Sequence, residues 1–198
     1  MESVRNRRRI FGEDRTMYVA RVLYPVEVLG PGKRVGIWFC GCPRRCKGCS
    51  NPELWKFQER YKTTPETIFQ LVQDIAKDNS IEGFTISGGD PMYQPAELQQ
   101  LLLLLKSISD DIVVYTGYNK KELKPEWLAN ISVLIDGEYI ETLNDNSLLR
   151  GSSNQNIIIL DERKKDRYED YLKRETNKIQ NFFTADGAVS VGIHRPGF

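Results

Sequence analysis

Three cysteines within eight residues offer the clearest chemistry in this chain. Cys42, Cys46 and Cys49 follow the spacing C-x3-C-x2-C, and a fourth cysteine, Cys40, comes just before them. Thiolates this close together repel one another unless a metal or a disulfide offsets their charge. A cubane cluster of four irons that is ligated by three cysteines keeps one iron open, and an open, redox-active iron can bind and reduce a small molecule. The spacing therefore favours a three-cysteine iron–sulfur cluster.

Other uses of four neighbouring cysteines stay open at this point. Structural zinc usually takes two ligand pairs that lie a dozen or more residues apart, whereas all four thiols here fall between residues 40 and 49. Disulfides suit small secreted domains, and no apolar signal segment follows Met1. Ferredoxin spacings, C-x2-C-x2-C-x3-C or C-x4-C-x2-C with a distant fourth cysteine, do not fit. Zinc and disulfides are therefore weaker explanations than an iron–sulfur cluster.

The composition is that of an ordinary globular chain. Hydrophobic residues make up 40% of the 198 residues and charged residues 28%, which allows one domain with a substantial core. The net charge of +1 favours neither nucleic acid nor a membrane surface as a partner. The longest apolar run, Leu101–Leu105, is too short to span a bilayer. We therefore predict a protein without membrane or nucleic-acid partners. An oxygen-sensitive cluster in a chain without a signal segment indicates the cytoplasm. The single histidine, His194, lies near the C-terminus and is predicted to be a surface or packing residue.

The first residues differ from the remainder in charge. Residues 1–16 are polar and carry five arginines: Arg5, Arg7, Arg8, Arg9 and Arg15. This composition predicts a flexible basic arm, or alternatively a docking arm for an acidic surface or a phosphate. Residues 17–198 are predicted to form a single domain, because no repeat or low-complexity linker divides them.

Strands and helices alternate along most of the chain. The segments that predict strands are Met17–Val28, Val35–Cys40, Gly83–Ser87, Asp111–Thr116, Ile131–Ile135 and Asn156–Leu160. Helices are predicted after Pro65, with Thr64 as the N-cap, and over residues 95–108, 120–130 and 161–178. A hairpin about Asp186-Gly187 is predicted for Phe182–Ile193.

This alternation is typical of an α/β protein with a mostly parallel sheet. A closed barrel of eight strands takes about 250 residues, more than this chain offers. We therefore predict an α/β fold that forms a partial, open βα barrel of about five to six mostly parallel strands, with short antiparallel additions at the termini.

Three loops follow predicted parallel strands and should meet at one edge of the sheet, where α/β folds place their chemistry. They are the cysteine loop, Gly88-Gly89-Asp90 and Tyr115-Thr116-Gly117. Consecutive glycines let the backbone come close to a ligand, because no Cβ blocks the approach. A Gly-Gly-Asp-Pro segment one βα unit after the cysteine loop is therefore a candidate ligand site.

These motifs, in this order, resemble those of the radical S-adenosylmethionine (SAM) enzymes. More narrowly, the chain is similar to the activating proteins of anaerobic (class III) ribonucleotide reductases. The resemblance spans about residues 18–160 and is carried by Tyr24-Pro25-Val26-Glu27, Gly30-Pro31-Gly32, Gly41–Cys49 with Asn51-Pro52-Glu53-Leu54-Trp55, Ser87-Gly88-Gly89-Asp90-Pro91, Tyr115-Thr116-Gly117-Tyr118, Val133-Leu134-Ile135-Asp136-Gly137 and Arg150-Gly151-Ser152-Ser153-Asn154-Gln155.

The resemblance implies a cofactor site and a reaction. Cys42, Cys46 and Cys49 would hold one 4Fe-4S cluster whose open iron binds the amino and carboxylate groups of SAM, with Gly88, Gly89 and Asp90 against the methionine amino group. The reduced cluster would cleave SAM to a 5′-deoxyadenosyl radical that generates a glycyl radical on a partner enzyme, an oxidoreductase activity with flavodoxin or ferredoxin as electron donor. Further residues at strand ends are candidates for the adenosine or carboxylate of SAM, or else brace loops: Tyr115, Thr116, Asp136, Arg150 and Asn154.

The pattern also has departures and alternatives. Many radical SAM proteins carry a bulky residue before the third cysteine, where this chain has Gly48. Cys40 is an additional cysteine, either a buried small residue or a further ligand. A radical SAM enzyme that acts on a peptide or small metabolite, and a non-catalytic iron–sulfur electron-transfer or metal-binding module, are the alternative functions. A partial barrel leaves its site open on one side, which favours a protein substrate that closes it.

Overall fold

Seven of the described strands form one mixed sheet in the computed structural model, which describes residues 16–184 and 187–195. The strands of the chain are β1 (Met17–Val26), β2 (Arg34–Phe39), β3 (Lys62–Thr63), β4 (Gly83–Gly88), β5 (Ile112–Tyr115), β6 (Val133–Asp136), β7 (Asn156–Ile159), β8 (Gln180–Thr184) and β9 (Gly187–Val191). The helices are α1 (Pro65–Asp78), α2 (Pro95–Leu105) and α3 (Lys165–Arg174), and several short 3₁₀ helices lie between them. The predicted basic arm, apart from Thr16, lies outside the described residues.

The sheet has a parallel centre and antiparallel edges. Its order is β3-β1-β2-β4-β5-β6-β7, and β2, β4, β5 and β6 run parallel. At one edge β1 pairs antiparallel with β2 and β3 with β1, and at the other edge β7 pairs antiparallel with β6. The strands β8 and β9 form a separate antiparallel hairpin. The curvature expected of a partial barrel stays a prediction.

Three of the predicted helices are wrong in extent. The helix predicted over residues 95–108 ends at Leu105. Residues 120–130 form two 3₁₀ helices, Lys120–Glu122 and Pro125–Trp127, because Pro125 has no backbone N–H and holds Lys124 in an extended conformation. Over residues 161–178 only Lys165–Arg174 is α-helical. The helix after Pro65 has the predicted N-cap, since the Thr64 side chain accepts a hydrogen bond from the Thr67 backbone N–H.

The sheet is covered on both faces by different parts of the chain. Helices α1 and α2 pack on one face, where Leu98, Leu101 and Leu102 join the core formed by β2, β4 and β5. On the other face Tyr168 of α3 packs against β5 and β6, and Val191 of β9 packs beside Trp38. Successive residues of a strand point to opposite faces, so buried strands serve both cores at once. No helix among the described residues is long and apolar enough to cross a membrane.

A buried ion pair joins the sheet to α3. The Arg34 guanidinium is fully buried and lies 3.1 Å from Oδ1 of Asp111, which is also buried. It donates further hydrogen bonds to Thr85 Oγ1 at 2.8 Å and to the carbonyl oxygen of Phe84 at 2.6 Å. The Tyr168 hydroxyl donates to the same Asp111 oxygen at 2.5 Å, and burial raises the pKa of Tyr168. This network fixes α3 to the amino end of the parallel strands.

Candidate active site

The cysteine loop leaves the carboxyl end of β2 and is held by backbone hydrogen bonds. The Gly41 N–H donates to the carbonyl oxygen of Leu54 at 2.8 Å, and the Cys42 N–H donates to that of Trp55 at 2.9 Å. Inside the loop, the Cys49 N–H donates to the carbonyl oxygen of Cys46 at 3.3 Å. The Leu54–Trp55 segment therefore holds the loop through its backbone.

One cavity contains most of the residues that the sequence singles out. Cys42, Cys46 and Cys49 line it together with Gly89, Asp90, Tyr115 and Thr116. These residues come from three separate strand ends, which the parallel sheet brings to one edge. Four predicted cofactor residues are not among the described residues that line the cavity: Gly88, Asp136, Arg150 and Asn154. Cys40 is fully buried, and its thiol donates to the carbonyl oxygen of Lys56 at 2.8 Å.

The three cavity cysteines form a soft donor set. Burial raises the pKa of Cys42, and the carboxylate of Asp90 and the thiol of Cys49 add to the shift. Burial also raises the pKa of Cys46, whose Sγ lies 3.8 Å from Oε1 of Glu138. Within residues 16–184 and 187–195, no group of three His, Cys, Asp or Glu side chains converges as a single metal ion requires. Cysteine thiols release their protons when they bind iron, and these three sulfur donors fit an iron–sulfur cluster at this position.

The Gly88-Gly89 pair joins two loops by close backbone contact. A Cβ on Gly88 would lie 2.4 Å from the Phe39 backbone, and one on Gly89 would lie 2.4 Å from the Gly41 carbonyl oxygen. The Gly89 N–H donates to the carbonyl oxygen of Phe39 at 2.7 Å, and the Asp90 N–H donates to that of Gly41 at 2.8 Å. The glycines thus allow the Gly-Gly-Asp loop to lie against the cysteine loop.

The Asp90 carboxylate holds this loop to the next strand end. Its Oδ1 accepts from the Thr116 hydroxyl at 2.8 Å and from the Met92 N–H at 3.0 Å, and its Oδ2 accepts from the Gly117 N–H at 3.0 Å. Burial raises the pKa of Asp90, although these donors act in the opposite direction. Asp90 therefore fixes the relative position of the loops after β4 and β5 at the cavity wall.

Gly89→Ala tests the contact between the two loops. Its methyl group meets the Gly41 carbonyl, and backbone atoms cannot rotate away as a flexible side chain can. We expect a loss of about 1–3 kcal/mol in the free energy of unfolding, together with weaker cluster retention. Denaturant unfolding and iron content measure these effects, with Ser87→Ala as the control because it removes an atom at the same strand end. Wild-type stability of Gly89→Ala would contradict the contact.

Three of the predicted cofactor residues make contacts within the protein. Both carboxylate oxygens of Asp136 accept hydrogen bonds, from the Lys120 N–H at 2.6 Å and from Asn156 Nδ2 at 2.8 Å. Arg150 pairs with Asp145 at 2.8 Å. The third, Asn154, donates to a backbone oxygen at 2.8 Å. Their contacts fit the loop-bracing role, and a cofactor role stays a prediction.

Gln155, the last residue of the Arg-Gly-Ser-Ser-Asn-Gln segment, lines the cavity. Its Oε1 accepts from the Gly151 N–H at 2.8 Å, and its Nε2 donates to the Gly137 carbonyl oxygen at 2.7 Å. Gly137 and Gly151 also line the cavity. Gln155 thus shapes two sides of the site, a role that the sequence reasoning missed although the motif contains the residue.

The Tyr115 hydroxyl oxygen and Nε of Arg44 are buried and have no hydrogen-bond partner in the described part of the chain. Both residues line the cavity. The Arg44 guanidinium lies 4.4 Å from the centre of the Tyr118 ring and 3.9 Å from a Glu122 oxygen. A positively charged group with an unused donor fits a cavity that takes a ligand with anionic acceptors. The sequence reasoning did not select Arg44.

Comparison with known proteins gives consistent matches. A family model described as a 4Fe-4S single cluster domain matches residues 28–158. The anaerobic ribonucleoside-triphosphate reductase-activating protein of Vibrio cholerae serotype O1 is 38% identical, and the alignment covers 68% of this chain and 93% of that protein. The protein of the same name from Enterobacteria phage T4 is 36% identical, and the alignment covers 68% of this chain and 90% of that protein. The chain belongs to this family of activating proteins. The pyruvate formate-lyase-activating enzyme of Staphylococcus aureus is 37% identical over 93 residues, which cover 42% of this chain and 36% of that protein.

The backbone conformation explains why glycine, Gly48, comes before the third cysteine in this chain. Gly48 has a φ of +71°, a left-handed conformation that disfavours larger residues. A Cβ there would also lie 2.5 Å from a carboxylate oxygen of Glu141. The backbone conformation therefore disfavours a larger side chain at this position.

The cavity wall includes a segment that sequence reasoning did not connect with the site. Ser190, Val191, Gly192, Ile193 and His194 line the same cavity as the three cysteines. Trp38 lines it as well as packing in the core. His194, predicted as a surface or packing residue, is half-buried at this wall, and burial lowers its pKa. No local motif marks this segment, since only folding brings it beside residues 42–49.

Proposed function

We propose that this chain generates a glycyl radical on an anaerobic ribonucleoside-triphosphate reductase by reductive cleavage of SAM. The observation that carries the proposal is that Cys42, Cys46 and Cys49 line one cavity with Gly89 and Asp90. The family relationship supports the same activity, because the relatives are named as activating proteins of that reductase. A partial, open barrel, proposed here from the parallel centre of the sheet, would leave room for a protein substrate at this edge.

Different residues of the cavity would bind the cluster and SAM. The three cysteines would ligate a 4Fe-4S cluster, which when bound supplies the electron that cleaves SAM to methionine and a 5′-deoxyadenosyl radical. Gly89 and Asp90 shape the wall beside the cysteine loop, and Thr116 is held to Asp90 by a 2.8 Å hydrogen bond. Because Asp90 is buried and its acceptors are largely used within the protein, its role is to hold the wall in place rather than to move a proton. Arg44 lines the same cavity, and its positive charge would favour a ligand with an anionic carboxylate.

The electron donor proposed for this reaction is a flavodoxin or a ferredoxin. The proposed protein substrate is the reductase, and the match to a pyruvate formate-lyase-activating enzyme makes a second glycyl-radical enzyme the alternative partner. The cavity in which SAM would be cleaved is lined by both apolar and polar groups among the described residues. A partner segment that enters the cavity would exclude water from the reacting atoms.

Electron paramagnetic resonance of the partner tests this function. The protein is reconstituted anaerobically with iron and sulfide, reduced with dithionite, and mixed with SAM and the reductase of the same organism. We expect equivalent amounts of 5′-deoxyadenosine, methionine and a glycyl radical signal. A reductase in which the radical glycine is replaced by alanine is the control and should show no such signal.

Two results would contradict the proposal in different ways. Cleavage of SAM without a radical on the reductase, but with one on pyruvate formate-lyase, would assign the chain to the alternative partner. A fully loaded cluster that cleaves no SAM with either partner present would support a non-catalytic iron–sulfur module.

A further inference from the structure

A C-terminal wall, defined here as residues 190–194, completes the cavity from outside the matched family region. The family model ends at residue 158, whereas this wall belongs to β9 and the residues that follow it. It lines the cavity that also contains the three cysteines. A second groove, adjoining the first at Cys49, is lined by Ser190 and His194 too. The wall therefore borders the site along more than one side.

The wall is anchored at both ends of its hairpin. Gln180 of β8 accepts from the Glu27 N–H at 3.0 Å and donates to the carbonyl oxygen of Pro25 at 2.7 Å. Asn177 donates to the Ile193 carbonyl oxygen at 2.5 Å, and Asn144 donates to that of His194 at 2.7 Å. The two bonds of Gln180 join the hairpin to the end of β1, that of Asn144 joins the wall to the loop after β6, and that of Asn177 joins it to the residues before β8. The wall is consequently a positioned surface of the cavity.

The lining of the cavity differs from one part to another. The part beside Asp90 and Thr116 presents polar groups that are held by hydrogen bonds. The C-terminal wall instead adjoins apolar surface, because Val191 packs in the cluster that contains Leu29 and Trp38. A polar edge borders that apolar surface, where His194 Nε2 lies 3.0 Å from the Ser190 hydroxyl. An apolar surface with a polar edge suits a purine ring, which has apolar faces and hydrogen-bonding edges.

We propose that the C-terminal wall binds the nucleoside end of SAM, with Ile193 and His194 as specificity-determining residues. The inference rests on the proposed function, since it concerns the same ligand. It follows from the position of the cysteines: the amino-acid end of SAM is directed to the cluster, so the nucleoside end meets another part of the lining. Gly48 provides no side chain for that contact. The C-terminal wall supplies the surface that a bulky residue at position 48 would otherwise offer.

Two ligands separate nucleoside binding from binding at the cluster. SAM and S-methylmethionine share the amino, carboxylate and sulfonium groups, but S-methylmethionine has no adenosine. Calorimetric titration of the reconstituted protein gives the Kd of each ligand for wild type, Ile193→Ala and His194→Ala. We expect about a tenfold rise in the Kd for SAM in each variant, and no change for S-methylmethionine. At saturating SAM, the cluster spectrum of each variant should equal that of wild type.

Phe183→Ala is the matched control on the same hairpin. Phe183 is 88% exposed and its neighbours belong to β8, so this variant should keep both wild-type Kd values. Equal losses for SAM and S-methylmethionine in the wall variants would show general damage to the site and overturn the inference. An unchanged Kd for SAM with lower radical formation on the reductase would assign the wall to the partner protein and also overturn it. Failure of wild type to bind SAM at all would instead refute the proposed function.

Discussion

Cys46→Ala is expected to abolish SAM cleavage, and Cys42→Ala and Cys49→Ala should do the same. These three thiols line the cavity, and a cluster that loses one of three protein ligands exposes a second iron and is not retained. Iron and sulfide content after anaerobic reconstitution, followed by an assay for 5′-deoxyadenosine, measures the effect. We expect the loss of both cluster and product in all three variants.

Cys40→Ala is the control that the chain itself provides. Cys40 is fully buried, and its thiol donates to a backbone oxygen at 2.8 Å, so its replacement removes packing and one weak hydrogen bond. The expected cost is about 1 kcal/mol in the free energy of unfolding, with cluster content and SAM cleavage preserved. Loss of the cluster in Cys40→Ala with retention in Cys46→Ala would transfer the ligand role to Cys40.

Arg34→Met is expected to lower the free energy of unfolding by about 3–5 kcal/mol, because it leaves the buried Asp111 carboxylate without its main positive partner. The substitution also removes donors to Thr85 and to the Phe84 carbonyl oxygen. Denaturant unfolding monitored by circular dichroism gives the change from the midpoint and slope. The double variant Arg34→Met/Asp111→Leu should recover part of the loss, since no buried charge remains uncompensated.

Lys77→Met provides a matched comparison for the ion pair. Lys77 lies 2.7 Å from Asp74 on the surface of α1, and its side chain is 70% exposed. Water and salt screen such a pair, so the variant should be indistinguishable from wild type in the same experiment. A wild-type midpoint for Arg34→Met would show that the buried pair contributes nothing to the attachment of α3.

Local patterns accounted for most of the strands and for the start of α1. The six predicted strands occur, with ends that shift by one or two residues, because buried strands here are continuous apolar runs. Residues 120–130 were predicted as one helix, and Pro125 divides them into two 3₁₀ turns. The antiparallel direction of β7 had no counterpart in the sequence pattern, since direction depends on the path of the chain between strands.

Some residues of the candidate site could be predicted from the sequence, and others were recognised only in the structure. The cysteine loop, Gly89, Asp90 and Thr116 could be selected from motifs, because each follows a strand whose carboxyl end lies at the edge of the sheet. The sequence could not show why glycine is needed at position 89, because the need arises from the short distance between Gly89 and the Gly41 carbonyl oxygen in the folded protein. Arg44 and Gln155 stand inside recognised motifs, yet only their contacts distinguish them from their neighbours.

The sequence by itself determined the family and selected the three cysteines that we propose as the donor set of the cluster, because both depend on residue types at short, fixed spacings. Only the tertiary structure decided that residues 190–194 form a wall of the same cavity. Their position depends on hydrogen bonds such as that between Gln180 and Pro25, which lie 155 residues apart. A contact over that distance leaves no periodic or local signal, since it is specified by the packing of the whole sheet.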